Sequence, residues 1–262
     1  MDTARADVQF DFRGRTVLVT GATSNLGLAT ARAFAHAGAA VGILGGSDHV
    51  ALDKAVGDLR AEGATASGSL ASLSDESAVV AAVTVIQEQL GPVDILVNNA
   101  AIRSGRALEE LTLDEWDRTL AVNLRAPFVL AQRLLPSMLA RTFGRIINVA
   151  GLNIWWASET STHVSAAKSG LLGLTASLAM RGAQHGVTVN TVVPGFIDTE
   201  SYQRSRDATR DATVGRLVPM GRAARMEEVV DTILFLTSSS ASYITGQTIA
   251  VSGGAHPMVS FG

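Results

Sequence analysis

Short apolar runs rich in β-branched residues alternate with longer segments of helical periodicity along this chain. Six of these runs predict buried strands: Thr16–Thr20, Ala40–Leu44, Asp94–Asn98, Gly144–Val149, Val187–Val193 and Thr248–Val251. The segments between them predict helices, most clearly at Leu26–Ala37, Leu52–Glu62, Ser77–Gln89 and Leu113–Leu139. Strands that are apolar on both faces and alternate with helices are typical of a parallel sheet covered by helices on both sides. The pattern therefore predicts an α/β fold built on a doubly wound parallel sheet.

The chain is long and apolar enough to bury one large core. It has 262 residues, of which 47% are hydrophobic and 17% are charged, and no linker or repeat divides it. We therefore expect a single domain over residues 1–262. Residues 198–219 form a polar, irregular stretch that is too long for an ordinary connection, and this stretch predicts a lid over a substrate site.

Composition and charge argue against several classes of function. The chain has no cysteine, and its five histidines lack the spacing of metal ligands, so we expect no metal site. A formal net charge of −3 without a basic run argues against nucleic acid and anionic membranes as partners. The chain has neither an apolar run of about 18 residues nor the apolar core of a signal peptide at its start, so we expect a cytoplasmic protein. These observations favour a small molecule as the partner.

Four motifs follow the ends of predicted strands or lie on the helices between them. The first is Thr20-Gly21-Ala22-Thr23-Ser24-Asn25-Leu26-Gly27, where backbone N–H groups and the helix dipole favour a pyrophosphate. The other three are Asn98-Asn99-Ala100-Ala101, Asn123 within Leu120-Ala121-Val122-Asn123-Leu124, and Pro194-Gly195-Phe196-Ile197-Asp198-Thr199. A glycine-containing turn alone is a weak signal, but the order and spacing of all four together are specific.

Together the motifs resemble those of the short-chain dehydrogenase/reductase family, and the resemblance continues to Ser252-Gly253-Gly254 near the end of the chain. It implies a Rossmann-type fold, NAD(H) or NADP(H) as cofactor, a substrate cleft at the carboxyl ends of the strands, and a homodimer or homotetramer. The cofactor-binding residues that it implies are Gly21, Thr23, Asn25, Leu26, Gly27, Ser47, Asn98, Ala100, Lys168, Pro194, Gly195, Ile197 and Thr199.

Members of this family typically use Asn, Ser, Tyr and Lys for catalysis, and only two of the four match here. Asn123 and Lys168 stand at the Asn and Lys positions, whereas Val164 stands at the Tyr position and Gly151 at the Ser position. In the family the tyrosine is the general acid/base and the serine orients the reacting oxygen. The resemblance therefore implies an atypical member that lacks both groups that touch this oxygen.

Other polar residues near the missing tyrosine are candidates for proton transfer. They are His163, Glu159 and Lys168, with Asn123 as a supporting residue. The residues expected to line the substrate site are Gly151, Asn153, Trp155, Trp156 and Val164. Because two large aromatic side chains in a loop over the cleft favour a flat apolar ligand, we expect an aromatic or polycyclic substrate.

The phosphate-binding and ribose-binding segments bear on the choice of cofactor. Asn25 replaces the middle glycine of the family's loop and tolerates left-handed backbone geometry. Gly45-Gly46-Ser47 has no acid to hold the ribose diol of NAD, so a 2′-phosphate is permitted. The sequence favours NADP over NAD and leaves open a site that uses no dinucleotide.

Three functions remain open. The first is an NAD(P)-dependent oxidoreductase with a non-standard proton donor, acting on a carbonyl, hydroxyl, imine or activated alkene. The second is a non-redox enzyme such as an isomerase, lyase, hydratase or cyclase, in which Glu159, His163 or Lys168 moves protons. The third is a catalytically silent subunit. The fold does not choose among them, because function depends on the site.

Overall fold

Parallel strands form a central sheet in the order β3-β2-β1-β4-β5-β6-β7. The structure is a computed structural model that describes residues 9–156, 158–199, 202–203 and 208–256. The strands are β1 (Thr16–Thr20), β2 (Ala40–Gly45), β3 (Ala66–Leu70), β4 (Ile95–Asn98), β5 (Gly144–Val149), β6 (Val187–Pro194) and β7 (Thr248–Val251). The predicted α/β fold with one doubly wound parallel sheet is confirmed.

Helices cover both faces of the sheet. They are α1 (Asn25–His36), α2 (His49–Ala61), α3 (Glu76–Leu90), α4 (Leu113–Leu120), α5 (Ala126–Ala140), α6 (Thr162–Gly182), α7 (Ala208–Leu217) and α8 (Met226–Thr237). Helices α1, α2 and α8 bury their apolar residues in one core, and α3, α5 and the end of α6 bury theirs in a second core on the opposite face. Within the described ranges, we find no helix with the length and hydropathy of a membrane span.

The central strand shows why the pattern identified the sheet. In β1, Val17 and Val19 point into one core while Leu18 points into the other, and all three side chains are completely buried. Because successive side chains of a strand point to opposite faces, a strand covered on both sides is apolar at most of its positions. Continuous apolar runs therefore predicted the inner strands correctly.

Strand β3 was not predicted, because its sequence is Ala-Ser-Gly-Ser-Leu and contains no β-branched residue. The structure gives the reason for its small residues. A Cβ atom on Gly68 would lie 2.8 Å from side-chain atoms of both Leu52 and Val56, which belong to α2. Close approach of this helix therefore excludes the bulky residues by which a strand is usually recognised.

The segment predicted as one helix from Leu113 to Leu139 contains α4 and α5 with a π-helical turn, Ala121–Arg125, between them. Helix α4 begins with a capping box, in which the side chains of Thr112 and Glu115 bond each other's backbone N–H groups. The π-helical turn contains Asn123, and such turns occur frequently at functional sites.

The strand order places the site. The chain runs outward from β1 through β2 to β3 and then returns to the other side of β1 to form β4. The loops that follow β1 and β4 therefore separate in opposite directions and leave a crevice at the carboxyl edge of the sheet. Ligands of doubly wound folds bind at such a switch point.

The predicted lid, residues 198–219, lies partly outside the described residues, which omit 200–201 and 204–207. In the described part, Tyr202 is buried and packs with Val214 and Val218 at the α7 end of the segment. Of this segment, Thr199 and Tyr202 lie near the carboxyl end of β6, and the role of the segment as a lid stays a prediction.

Candidate functional site

A cleft of about 690 Å³ opens above the carboxyl ends of β1, β2 and β4. Gly21 and Gly27 form its floor, and both positions require glycine. Gly21 has φ +63°, and a Cβ atom on Gly27 would lie 2.2 Å from the Gly21 carbonyl oxygen. Asn25 adopts φ 46°, the left-handed conformation that asparagine tolerates. The absence of side chains at Gly21 and Gly27 therefore leaves backbone atoms exposed in a narrow recess, which we call the cradle.

Helix α1 begins in this cradle. Ser24 is its N-cap residue, but its side chain makes no capping hydrogen bond, so the first-turn N–H groups have no side-chain cap. Uncapped N–H groups and the positive end of a helix dipole attract anions. The predicted residues Thr23, Asn25 and Leu26 also line the cleft, which fits the phosphate groups of a dinucleotide.

The far end of the cleft has a neutral surface. Gly45, Gly46 and Ser47 line it after β2, and Ser72 and Ser74 line it after β3. Among the described lining residues there is no aspartate or glutamate. A 2′-phosphate on the ribose would therefore meet no negative charge here.

A network of polar side chains joins β1 to β4 beneath the cleft. Thr20 accepts hydrogen bonds at Oγ1 from the N–H groups of Asn99 (3.0 Å) and Ala100 (3.1 Å). The Asn99 side chain donates to the carbonyl oxygens of Thr20 and Gly21. The sequence motifs contain Thr20 and Asn99 but do not mark either residue as part of the site. Their pairing depends on the sheet, because 79 residues separate them.

Asn98 ends β4 as predicted, but its side chain points into the sheet and not toward the cofactor cleft. Its Nδ2 donates to Asn148 Oδ1 at 2.8 Å inside the sheet, and Asn148 in turn donates to Thr175 on α6. Asn98 is buried and is not among the described residues that line the cleft. Its side chain holds β4 to β5, while the neighbouring Asn99, Ala100 and Ala101 form the cleft wall.

A second cavity of about 580 Å³ adjoins the cleft, since Arg103, Ile197 and Thr199 line both spaces. The sequence-predicted residues that line this cavity are Gly151, Asn153, Trp156, Val164, Lys168, Pro194, Gly195, Ile197 and Thr199. Predicted residues from three separate parts of the chain therefore meet at one place, next to the crevice.

An aromatic wall closes one side of this second cavity. Trp156 lies 6.3 Å from Phe196 between ring centroids, and the buried Tyr202 packs in the same cluster. Sequence reasoning missed Phe196 and Tyr202 as candidate lining residues because neither is adjacent to the tryptophans in sequence.

Trp155 does not belong to this wall, which corrects the prediction that both tryptophans line the site. Its ring stacks on His256 at a centroid distance of 3.6 Å and an interplanar angle of 6°. It also packs beside Ala150, Leu171 and Val193. Successive residues of a short loop point in different directions, so only one of two adjacent aromatic side chains faces the cavity.

Lys168 is a buried charged group in the lining of the second cavity, which Arg103 also lines. It is 3% exposed, and its Nζ donates a hydrogen bond to the Val149 carbonyl oxygen at 2.6 Å. Burial, with a smaller contribution from the positive charge of Arg103, lowers the pKa of Lys168 to about 7. Val164 lies one helical turn earlier and is 5% exposed. At neutral pH, Lys168 can therefore both donate and accept a proton.

Lys168 should make stability depend on pH. Its pKa is about 7 in the folded state against an ordinary value of 10.5, so the unfolded chain binds more protons between these values. The contribution of Lys168 to the free energy of unfolding should rise with pH in this window, by at most about 1.4 kcal/mol per pH unit. Urea denaturation at about pH 7 and pH 9 should show the wild type gaining stability relative to Lys168→Met. Lys54→Met, at an exposed lysine of α2, should show no such difference; parallel behaviour of both variants would contradict the assigned pKa.

Two predicted proton-transfer residues lie away from the cavity. Glu159 is exposed in a turn before α6, and the described residues lining the cavity do not include it. His163 is completely buried, with Nε2 3.4 Å from Ser104 Oγ and without a hydrogen bond at Nδ1. It follows Thr162 and precedes Val164 on α6, so it points about 100° away from the direction of Val164.

Asn123 is completely buried and binds the loop after β4. Its Oδ1 accepts a hydrogen bond from Ile102 N–H at 2.8 Å, and its Nδ2 donates to the Ile102 carbonyl oxygen at 2.9 Å. The side chain therefore fixes the backbone next to Arg103, and its amide does not contact Lys168. Across the described part of the chain, no group of three or more His, Asp or Glu side chains could hold a metal ion.

A cleft with a glycine cradle at a topological switch point is typical of dinucleotide-binding proteins of the doubly wound class. The chain belongs to the short-chain dehydrogenase/reductase family of NAD(P)-dependent oxidoreductases. Residues 21–256 match the family model described as enoyl-(acyl carrier protein) reductase.

Relatives and solved structures agree with this membership. The chain is 33% identical to gluconate 5-dehydrogenase of Gluconobacter oxydans over 94% of this chain and 96% of the relative. It is 33% identical to 3-oxoacyl-(acyl-carrier-protein) reductase of Thermotoga maritima over 92% of this chain and 97% of the relative. The crystal structure of a gluconate 5-dehydrogenase from Burkholderia cenocepacia in complex with NADP and tartrate has a TM-score of 0.89 and 30% identity, covering 96% of this chain and 98% of that one.

Proposed function

We propose that this protein is an NADP(H)-dependent oxidoreductase in which Lys168 exchanges the proton that accompanies hydride transfer. Its substrate is a small molecule with a carbonyl or imine group and an apolar, aromatic part. The observation that carries the proposal is the position of Lys168, buried at the base of a cavity that adjoins the dinucleotide cleft. The described lining of this cavity contains no other proton donor that titrates near neutral pH.

The residues of the cleft fit the cofactor. Gly21 and Gly27 leave the cradle that a phosphate needs, and the uncapped start of α1 supplies N–H donors and a favourable dipole. When bound, the reduced cofactor supplies a hydride to the electrophilic carbon of the substrate. Ile197 and Thr199 line both the cleft and the cavity, so they can contact both ligands.

The chemistry of Lys168 follows from its surroundings. One N–H of the ammonium binds the Val149 carbonyl oxygen, which leaves two N–H groups for other partners. The ammonium donates one proton to the oxygen or nitrogen that becomes negative, and the resulting amine regains a proton from water. A pKa of about 7 suits this exchange, because both protonation states are populated at neutral pH.

Val164 and Gly151 carry no hydroxyl group at the positions where family members place Tyr and Ser. The side chain of Val164 and the backbone of Gly151 both line the cavity. Within the described lining, Lys168 is therefore the group left to protonate the reduced carbonyl oxygen or imine nitrogen, and a positioned acid contributes about 10²- to 10⁴-fold in ordinary carbonyl reduction.

The neutral surface after β2 and the NADP in the related Burkholderia structure support NADP over NAD. Replacing Ser47 with Asp should weaken NADPH binding by at least about tenfold, because a carboxylate would repel the 2′-phosphate. NADH binding should stay equal or tighten. Ser47→Asn keeps the size without the charge and is the matched control in calorimetric titrations. Equal losses of NADPH affinity in both variants would show that the 2′-phosphate lies elsewhere.

Direct titration tests the proposed function. Calorimetry with NADPH and NADH, supported by thermal unfolding, should detect binding at micromolar concentration, since a ligand at about 100 times its Kd stabilises the protein by about 2.7 kcal/mol. Oxidation of NADPH by cyclic imines or activated ketones would then identify the reaction. Absence of binding at millimolar concentration would overturn the proposal and favour a non-redox enzyme or a silent subunit.

We also propose that residues 198–219 act as a lid and that the protein forms a homodimer or homotetramer. Tyr202 supports the lid, because it lies in this segment and lines the second cavity. Phe128 supports an assembly, because it is 46% exposed on α5 in a surface hollow that Leu124 and Leu174 also line. Light scattering of the purified protein measures the assembly directly.

A further inference from the structure

Arg103 is a cation in the wall that the cofactor cleft and the second cavity share. Its guanidinium makes no hydrogen bond or ion pair with any residue that the structure describes. Other arginines near the site do have partners, such as Arg106, which forms an ion pair with Glu115. Arg103 is therefore available to a ligand of either space.

The backbone on both sides of Arg103 is tethered. Asn123 binds both the N–H group and the carbonyl oxygen of Ile102, at 2.8 and 2.9 Å. On the other side, Ser104 Oγ lies 3.4 Å from the buried His163 Nε2. The loop therefore presents Arg103 from a fixed position, which reduces the entropy that ligand binding would cost.

The electrostatic character of the two spaces differs from that of the whole chain. The chain carries a net charge of −3, yet the described lining of the cleft and the cavity contains Arg103, Arg118 and Lys168 and no carboxylate. The positive charge of Arg103 also acts on Lys168, so the two cations are close enough to repel each other. An anion bound between them would relieve this repulsion, and a cavity lined by one sign of charge concentrates ligands of the opposite sign.

We propose that the substrate is an anion, most simply a carboxylate, and that Arg103 binds its charged group while the aromatic wall of Trp156 and Phe196 holds its apolar part. A guanidinium binds a carboxylate through two parallel N–H···O hydrogen bonds, which fixes orientation as well as affinity. Arg103 is then a substrate-positioning residue. The inference rests on the proposed function, because that function assigns the substrate to the second cavity.

A matched pair of ligands tests the proposal. 2-Naphthoate and 2-naphthamide have nearly the same shape, and only the first carries a charge. In calorimetric titrations of the NADP-loaded protein, 2-naphthoate should bind at least about tenfold more tightly than 2-naphthamide. Arg103→Gln should reduce this ratio to about one by weakening 2-naphthoate alone. Arg106→Gln is the matched control, since Arg106 is an exposed arginine of the same loop and is absent from the described lining of both spaces, and it should preserve the ratio.

Three results would overturn the proposal: equal affinities in the wild type, the same preference in Arg103→Gln, or no binding of 2-naphthoate at millimolar concentration. NADPH titration of each variant separates this proposal from the proposed function. Failure of every protein to bind NADPH would reject the oxidoreductase, whereas NADPH binding without a preference for 2-naphthoate would reject only the anion site. Thermal unfolding of Arg103→Gln should match the wild type, because this side chain has no partner among the described residues.

Discussion

Lys168→Met is expected to lower kcat for NADPH-dependent reduction by about 10²- to 10⁴-fold, the range that a positioned general acid contributes. The ammonium is buried at the base of the cavity, where the described lining offers no second acid with a pKa near neutrality. In the wild type, kcat/KM for reduction should fall as the pH rises through about 7, because the donor must carry its proton. The variant should lose this pH dependence.

Lys168→Arg separates proton transfer from a positive charge that merely binds the cofactor. Arginine keeps the charge but does not release its proton near neutrality. We therefore expect Lys168→Arg to lose nearly as much kcat as Lys168→Met while retaining more of the NADPH affinity. Lys54→Met, at an exposed lysine on α2, should leave kcat unchanged. An active Lys168→Arg enzyme with an unchanged pH profile would contradict the role of Lys168 as proton donor.

Val164→Tyr combined with Gly151→Ser is expected to increase reduction of simple ketones by about 10²- to 10⁴-fold. Gly151 has an extended backbone with φ 176°, and a Cβ atom there would lie 3.5 Å from Asn153 Oδ1, an ordinary contact. Val164 is buried but lines the cavity, so a larger ring has adjacent space to enter. The new phenol would stand one helical turn from Lys168, and the positive charge of the ammonium would lower the pKa of the phenol and make it a stronger acid.

The matched control for this pair is Val164→Phe with Gly151→Ala. It adds the ring and the Cβ atom without either hydroxyl, so it should leave ketone reduction at the wild-type level. Initial rates of NADPH oxidation with a panel of methyl ketones measure both double variants. An equal gain in the control would mean that shape, not proton transfer, limits the wild type. A double variant that binds NADPH and gains nothing would contradict the view that two hydroxyls are what the site lacks.

The hydrophobic pattern predicted most of the fold, because strands buried on both faces of a sheet consist mostly of apolar residues and appear in the sequence as short apolar runs. The strands β1, β4 and β5 are buried along their whole length and consist mostly of apolar residues, as is typical of strands between two helical layers. The pattern does not predict strand β3, because its residues are small where α2 packs closely against it. This contact between two elements is not visible in the local sequence. The π-helical turn at Ala121–Arg125 interrupts a continuous helical pattern, and the sequence contains no sign of it.

The sequence also predicted which residues form the cofactor loop and which stand at the family's catalytic positions. It determined the glycines at 21 and 27, Lys168 on α6, and a valine one turn before that lysine, since these depend on local order and spacing. Only the tertiary structure decided which polar groups face the cavity. In the structure, Trp155 stacks on His256, Glu159 is exposed to solvent, and the buried His163 lies next to Ser104. Arg103 lies in the wall shared by both spaces, and the two hydrogen bonds between the Asn123 side chain and the Ile102 backbone fix the neighbouring chain. The physical reason is that side-chain direction in loops depends on contacts between residues far apart in the chain.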